Sequence, residues 1–462
     1  MHGNNHDDIY VIPILENYLI YSPLRKIVSL VDKNALFQLR DHLYEKHRQP
    51  TPHKNLLPIY SRLNIPIESR PRERKGRLRP SFLGILPTRS CNMSCAYCDF
   101  ESSSAPKEVM PLETAAGAVD WMATIMRSCK MNTLGIHFFG GEPLCAPDVV
   151  DVVIHRGRIV AEKMGLAPHF EISTNGLCSD NTARFVGAYF NAVVLSLDGF
   201  SSFHDRHRPI NSNRASFDNV FRTAKILSRT PVELCIRCCV SQENVAYMVD
   251  ITKWFCANLW PSSINFETLA VNEVSQDNGL FPPDPLEFAR NFFLSRKIAA
   301  AHGVDAIYAA AEIEKARNSF CPVGKDTVIV SPKGNISSCY LPAHKRDKKS
   351  LGLSIGKVAN DGNIEIDMNA IQRIRSMITD KPKCDNCYCR WSCAGGCHVR
   401  NATTLQQDCE IDDFCIQTRL ITAIELLQRL DLHDIAEDFI NSDIALNKIT
   451  AQSSDRLSDI SI

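Results

Sequence analysis

The sequence predicts an α/β protein: a partial (β/α)6 TIM-like barrel over residues 80–300, with units on either side of it. A small N-terminal α+β unit and its linker (1–79) precede the barrel; a cysteine-rich domain (301–430) and a tail (431–462) come after it. Three observations predict this. Strand-like runs and helical patterns alternate from Ser81 onward. Several runs are apolar on both faces, as parallel strands covered by helices require. Of nineteen cysteines, ten sit at regular spacings, either in one loop behind the first barrel strand or between Cys321 and Cys415.

The N-terminal unit is read from apolar runs at Ile9–Leu15, Tyr18–Tyr21 and Ile27–Val31, then a helical pattern from Asn34 to about Lys46. Two or three strands and a helix are too little to be stable alone, so the unit should pack on the downstream chain. Residues 47–80 read as a linker with six prolines and the basic run Arg70, Arg72, Arg74, Lys75, Arg77, Arg79. A solvated, flexible segment is the ordinary reading of such a run, and an anchor for an acidic peptide is the other. No aromatics interleave with the charges, which argues against nucleic acid. Barrel strands are expected at 81–87, 134–139, 168–173, 191–197, 233–240 and 262–268. Helices are expected near 112–128, 147–164, 179–188, 217–229 and 244–258. In such a barrel the working loops lie at the C-terminal ends of the strands.

Charge and composition narrow the partners. Lys+Arg and Asp+Glu number 52 each, so no polyanion or membrane surface is expected as a general partner. No apolar run approaches the ~18 residues needed to span a bilayer. Met1–Asp8 shows no basic segment leading into an apolar one, so a cytoplasmic location is expected. There, many cysteines point to metal or redox centres.

Residues 91–98, Cys-Asn-Met-Ser-Cys-Ala-Tyr-Cys, place three thiols in one loop. A [4Fe–4S] cube normally takes four thiolates, so three would leave one iron open to another ligand. A zinc site or unpaired buried thiols are the alternatives, although zinc motifs favour C-x2-C pairs with four ligands. After the second strand comes Gly140-Gly141-Glu142-Pro143, where glycines permit close approach and the carboxylate can accept from an ammonium group. The third strand ends in Ser173-Thr174-Asn175-Gly176 and the fourth in Ser196-Leu197-Asp198-Gly199, with Arg208 twelve residues beyond Ser196. Turns and helix caps use the same residue types. Cys235, Cys238 and Cys239 alternate along one strand, so they read as buried structural thiols, as do Cys129, Cys145, Cys178 and Cys256.

The C-x3-C-x2-C triplet with an aromatic before its last cysteine resembles the signature of radical S-adenosylmethionine (SAM) enzymes. The resemblance implies that Cys91, Cys95 and Cys98 hold a [4Fe–4S] cluster whose open iron chelates SAM, and that reductive cleavage yields a 5′-deoxyadenosyl radical. It places Tyr97 by the adenine, Gly140, Gly141 and Glu142 at the methionyl amine, and Ser173 and Asn175 in the cofactor pocket. Ser196 would bond the ribose and Arg208 the SAM carboxylate.

The later cysteines, Cys321-x12-Gly334-x4-Cys339, then Cys384-x2-Cys387-x5-Cys393-x3-Cys397-x17-Cys415, resemble the SPASM domain of radical SAM peptide-modifying enzymes. By that resemblance Cys384, Cys387, Cys393 and Cys415 ligate an outer auxiliary [4Fe–4S] cluster, and Cys321, Cys339 and Cys397 an inner one. Many relatives have a fourth inner cysteine where this chain has Lys315. The inner cluster is expected to keep an open iron, unless Cys256, Cys389 or Cys409 is brought to it. Sulfatase-maturing relatives have an aspartate base directly after the cysteine matching Cys339. This chain has Tyr340, a candidate for proton or hydrogen relay or for packing.

The resemblance therefore implies a radical SAM/SPASM enzyme that modifies a ribosomally made peptide or protein, for example by a thioether or C–C link. The peptide would carry a leader sequence, bound by the N-terminal unit if that unit is more than a structural extension. A flavodoxin- or ferredoxin-like donor would supply electrons, and neither nucleic acid nor membrane is expected as a partner. The alternatives are an anaerobic sulfatase-type formylglycine maturase, a maker of a peptide-derived redox cofactor and a non-catalytic iron–sulfur or zinc protein. The tail from Ser442 shows no chemistry, and its last ten or so residues are expected to be mobile.

Overall fold

The computed structural model describes residues 8–44, 54–67, 70–100, 107–211, 214–341, 352–359, 363–379, 381–399, 411–443, 447–449 and 455–460. The N-terminal unit is an antiparallel sheet of β1 (Tyr10–Ile14), β2 (Asn17–Ser22) and β3 (Ile27–Val31), followed by α1 (Lys33–Tyr44) and α2 (Leu57–Leu63). Strand alternation gives this sheet two apolar faces. Ile9, Val11, Ile20 and Ile27 pack on Leu36, Leu39 and Leu43 of α1. On the other face Tyr10, Ile12, Ile14, Leu19 and Tyr21 enter the main core, so the unit does pack on the downstream chain.

Six parallel strands form the barrel: β4 (Leu83–Ile85), β5 (Thr133–Phe138), β6 (Ala167–Thr174), β7 (Ala192–Ser196), β8 (Glu233–Val240) and β9 (Ser263–Thr268). Their helices are α3 (Leu112–Ser128), α4 (Pro147–Met164), α5 (Asp180–Tyr189), α6 (Ser201–His207), α7 (Phe217–Leu227) and α8 (Met248–Asn258). In α3, Ala115, Ala118, Val119, Met122 and Met126 recur at helical spacing and are fully buried. They meet Leu134, Ile136 and Phe138 on the outer face of β5. Each Val, Leu, Ile, Met or Phe among them contributes roughly 1.5–3 kcal/mol of burial.

After α9 (Glu273–Asp277) and α10 (Pro285–Ala301), β10 (Asp305–Ile307) adds parallel to β9. At the opposite edge β11 (Val328–Val330) pairs parallel with β4, and β12 (Asn335–Ser337), β13 (Ser354–Val358) and β14 (Ile364–Ile366) continue antiparallel. One eleven-stranded sheet thus runs from β10 to β14 and joins the cysteine-rich segment directly to the first barrel strand. The segment ends in α11 (Met368–Thr379), α12 (Asp413–Arg429) and α13 (His433–Asn441). Among the described residues, no helix is long and apolar enough to cross a membrane.

Two expectations fail. The basic stretch is anchored: Arg74 gives Nη1 to Arg79 O at 2.8 Å and Lys325 O at 3.1 Å, and the Arg79 N–H donates to Asp326 Oδ2 at 2.9 Å. Asp326, itself buried and doubly bonded by Arg375, is the counter-charge that a composition count could not locate. The tail is also anchored at 455–460: Leu457 fills the small N-terminal core, and Val11 N donates to Asp455 O at 2.7 Å. An apolar residue and a backbone edge at β1 hold the segment that polarity alone had suggested would be mobile.

Candidate active site

The loop 91–98 follows β4 and is held from two sides. Ser94 N donates to Pro209 O at 2.9 Å and Ala96 N to His207 O at 2.8 Å, while Glu142 N donates to Ser90 O at 2.9 Å. This close approach explains the glycine pair. A Cβ on Gly140, whose φ is +141°, would stand 2.6 Å from Thr88 O, and one on Gly141 would overlap the carbonyls of Arg89 and Ser90.

The three thiols fit an iron–sulfur cluster by their chemistry. Burial pushes the Cys91 thiol well above its ordinary range and the Cys95 thiol up to about 12, so neither ionises unless a cation compensates. Donors already point at the sulfurs. Cys91 Sγ lies 3.4 Å from both Met93 N and Asn175 Nδ2, and Cys95 Sγ is 4.0 Å from Arg208 Nη1. Among the described residues, no three His, Cys, Asp or Glu groups converge as a single metal ion requires.

The other sequence-derived residues are held in hydrogen-bond networks at the strand ends. Glu142 is buried, and its Oε1 accepts from Thr174 Oγ1 at 2.8 Å and Leu144 N at 3.1 Å. Its Oε2 accepts from Asn175 N at 2.7 Å. The carboxylate expected to receive an ammonium group ties the Gly-Gly loop to the end of β6. Burial raises its pKa to about 7 against these three donors. Asn175 also bonds Asn92 Oδ1 at 2.8 Å. Ser173 and Ser196 sit at the ends of β6 and β7, both half-buried.

Arg208, expected to face a carboxylate of the cofactor, has a protein partner. Its Nε donates to Asp198 Oδ2 at 2.9 Å, and its guanidinium lies over the Tyr97 ring at 5.2 Å. Tyr97 Oη donates to the same Oδ2 at 2.7 Å, Cys239 N to Oδ1 at 3.0 Å, and His207 Nδ1 is 3.3 Å away. Burial alone would raise the Asp198 pKa, but Arg208 first, and then His207, hold it far below the carboxylate range. Asp198, absent from the sequence-derived site, is therefore the hub joining the thiol loop, β7, α6 and β8.

On the sheet face turned away from the helices lies a second group that the sequence reading passed over. His137 Nε2 is 3.5 Å from Glu171 Oε2, Arg237 Nη2 is 3.9 Å from Glu267 Oε1, and Asn265 Nδ2 is 3.4 Å from that oxygen. Charges at alternate positions of otherwise apolar runs were the available signal. Tyr340 packs its ring 4.7 Å from that of Phe139, with its hydroxyl 3.0 Å from the place of a Cβ on Gly84. Burial, aided by the Glu171 charge, pushes the phenol pKa upward and keeps it protonated.

The later cysteines separate into two groups. Cys384, Cys387, Cys393 and Cys415 line one cavity of about 440 Å³ of empty space, including its open mouth. Burial raises the Cys384 thiol to about 11 and Cys393 to about 12. Cys387 is instead lowered, first by a bond from Cys389 and, against burial, by the Arg419 charge. Cys397 is not in that lining; its charge is felt by Cys321. Cys339 follows β12 directly before Tyr340. Of the spare thiols, Cys389 belongs to the outer cavity, with its Sγ 3.4 Å from Thr422 Oγ1, and Cys256 is buried in α8. Cys409 lies outside the described residues, and the Lys315 charge adds to the burial and the arginine charges that lower the Lys325 pKa. Lys381 is buried with its ammonium on Asn318 O at 2.8 Å and on Ala394 O.

A partial parallel barrel with a three-thiol loop behind its first strand defines the radical SAM class, and residues 85–255 match the Radical SAM superfamily model. The chain is an enzyme whose cofactors are a [4Fe–4S] cluster and SAM. It is 24% identical over 336 residues to an AdoMet-dependent heme synthase of Oleidesulfovibrio alaskensis, covering 68% of this chain and 82% of that one. It is 24% identical over 356 residues to a cysteine-type anaerobic sulfatase-maturating enzyme of Clostridium perfringens, covering 73% and 94%. Among solved structures, native anSMEcpe with bound AdoMet and Cp18Cys peptide superposes with a TM-score of 0.61 at 20% identity, over 78% of this chain and 99% of that one. Streptococcus suis SuiB bound to S-adenosylmethionine gives 0.51 at 15% identity, over 87% and 97%. These two similarities are of fold.

Proposed function

We propose that this enzyme matures a ribosomally made peptide or protein, forming a new bond such as a thioether or C–C link at an unactivated carbon. The carrying observation is the cavity lined by Cys384, Cys387, Cys393 and Cys415 in a segment that extends the barrel sheet. A relative named a cysteine-type anaerobic sulfatase-maturating enzyme matches 73% of the chain, and a structure titled with a precursor peptide matches 88% of it. Two auxiliary [4Fe–4S] clusters are assigned to this segment, the inner one on Cys321, Cys339 and Cys397 with an iron open to substrate. The relative named for heme synthesis shows that the scaffold is not confined to peptides, so the substrate requires its own test.

When bound, the first cluster and SAM supply the radical that abstracts hydrogen. The chain's own residues hold the parts. Asn175 and Arg208 steady Cys91 and Cys95, Glu142 fixes the Gly140–Gly141 backbone, and Ser196 stands at the mouth of β7 for the ribose. The polar inner face, with Glu171, Arg237, Asn265 and Glu267, orients substrate. Electrons come from a flavodoxin- or ferredoxin-like donor in the cytoplasm, and β3, as a sheet edge, suits an extended leader segment.

A second reading, formylglycine formation on a sulfatase, draws on the likeness to the Clostridium perfringens enzyme; Tyr340 in place of an aspartate speaks against it. The test is anaerobic reconstitution followed by mass spectrometry of short peptides encoded beside the gene. Three cubes predict about twelve irons per chain and dithionite-dependent release of 5′-deoxyadenosine. Loss of two hydrogens with no carbonyl that a hydrazide traps indicates cross-linking, and a hydrazide-reactive aldehyde, made by loss of two hydrogens from serine or by exchange of sulfur for oxygen at cysteine, indicates formylglycine. A zinc-loaded protein that leaves SAM intact would overturn both readings.

A further inference from the structure

Cys387 has a charged neighbour that the cysteine pattern does not contain. Arg419, on α12, is 4% exposed, and its Nη1 lies 3.8 Å from Cys387 Sγ. The same guanidinium grips Asp455 with both ends, Nη1 to Oδ2 at 2.6 Å and Nη2 to Oδ1 at 2.8 Å. Nη2 also donates to Ile449 O at 3.0 Å, and the guanidinium covers the Tyr388 ring at 4.8 Å. Asp455 is 1% exposed and is fixed by Tyr388 N at 3.1 Å, while its own N–H donates to Asn386 O at 3.1 Å. The tail thus clamps the cysteine loop and presents one carboxylate to one arginine.

Two other cations line the cavity. Lys383 pairs with Asp412 at 3.3 Å, with side chains 11% and 30% exposed. Arg390 pairs with Asp385, with side chains 29% and 52% exposed. Water screens both of those pairs. Arg419 and Asp455, at 4% and 1%, are shielded from water, and fields in a low-dielectric interior are several-fold stronger than at the surface. A cube on four thiolates gains one further negative charge when it takes up an electron. Among the three cavity-lining cations Arg419 is the least exposed, and it stands 3.8 Å from one of the four thiols.

We propose that Arg419, held in place by Asp455 of the C-terminal tail, is the positioning residue that sets the reduction potential of the outer cluster. The proposal rests on reading the cavity of Cys384, Cys387, Cys393 and Cys415 as an iron–sulfur site. Its consequence is a pair of opposite signs. Removing the Arg419 charge strips the reduced cluster of its stabilising cation and leaves Asp455 uncompensated, so the potential falls. Removing the Asp455 charge leaves Arg419 unopposed, so the potential rises.

The test is a dithionite titration of the full-length reconstituted protein, followed by electron paramagnetic resonance. The signal lost in Cys384→Ala is assigned to the outer cluster. Expected are a midpoint lowered in Arg419→Gln, raised in Asp455→Asn, intermediate in the double variant and near wild type in Arg419→Lys. Shifts of the same sign, no shift, an equal fall in Arg419→Lys, or loss of outer-cluster iron from either single variant would overturn the proposal. A wild-type protein without any Cys384-dependent signal overturns the cluster reading beneath it, and so is a distinguishable failure.

Discussion

Arg208 donates from Nε to Asp198 Oδ2 at 2.9 Å in a site where both side chains are buried, and the pair joins the thiol loop to three barrel elements. Tyr97 and Cys239 N bond the same carboxylate, so its charge is shared among four segments. Asp198→Asn keeps the shape and removes the charge, which leaves Arg208 buried and unpaired. Breaking such a pair from one side costs about 3–5 kcal/mol. The expected outcome is a loss of that order in urea unfolding of the apo protein, with slower SAM cleavage after reconstitution. Unchanged unfolding would show that the pair contributes nothing.

A pH dependence arises from His204. Its Nδ1 accepts from Asp198 N at 3.3 Å, Nε2 has no partner among the described residues, and burial, against the Asp198 charge, lowers its pKa to about 4. The folded protein therefore binds this proton less readily than the unfolded chain does. Its contribution is complete above pH ~6.5 and is lost as pH falls from there toward 4, by about 3 kcal/mol at one pKa unit per 1.36 kcal/mol. Melting temperatures of the apo protein should fall across that window. In His204→Asn, which can still accept from Asp198 N, the slope should flatten.

How much was legible in the sequence depends on which forces act where. The barrel strands were readable because parallel strands covered by helices need apolar runs, and Val193, Leu195, Ile236 and Ile264 supply them. The grouping of Cys384, Cys387 and Cys393 came from the resemblance to the SPASM pattern, since close spacing alone would have kept Cys397 with them. The parallel pairing of β11 with β4 was not, since a three-residue strand carries no periodicity. Nor was the role of Asp198. The sequence showed a turn-like Ser-Leu-Asp-Gly, but a buried counter-charge ten residues away in Arg208 acts through space. Glu142 illustrates the same limit: residue type announced an acceptor, and only geometry shows which donors take it.

The glycine pair yields a steric prediction. A methyl group at Gly141 would overlap the Arg89 and Ser90 carbonyls and push the thiol loop away from the Gly-Gly turn. Gly141→Ala should keep the barrel's circular dichroism yet lose roughly four irons per chain, those of the first cluster. Gly165→Ala is the control. Its φ of +65° carries a strain of about 1 kcal/mol but meets no neighbour within 4 Å, so iron content should not change.

Tyr340 separates proton transfer from packing. Its phenol is kept protonated by burial and by Glu171, and its ring fills the space that Gly84 leaves beside Phe139. A group so placed can donate but cannot serve as a base near neutral pH. Tyr340→Phe keeps the ring and removes only the hydroxyl, so turnover should fall less than tenfold and the pH–rate profile should keep its shape. Tyr340→Ala removes the ring and opens a cavity between β4 and Phe139. That substitution should destabilise the fold by about 3–5 kcal/mol, read in urea unfolding. A hundredfold loss in Tyr340→Phe with unfolding unchanged would instead assign the hydroxyl to the chemistry.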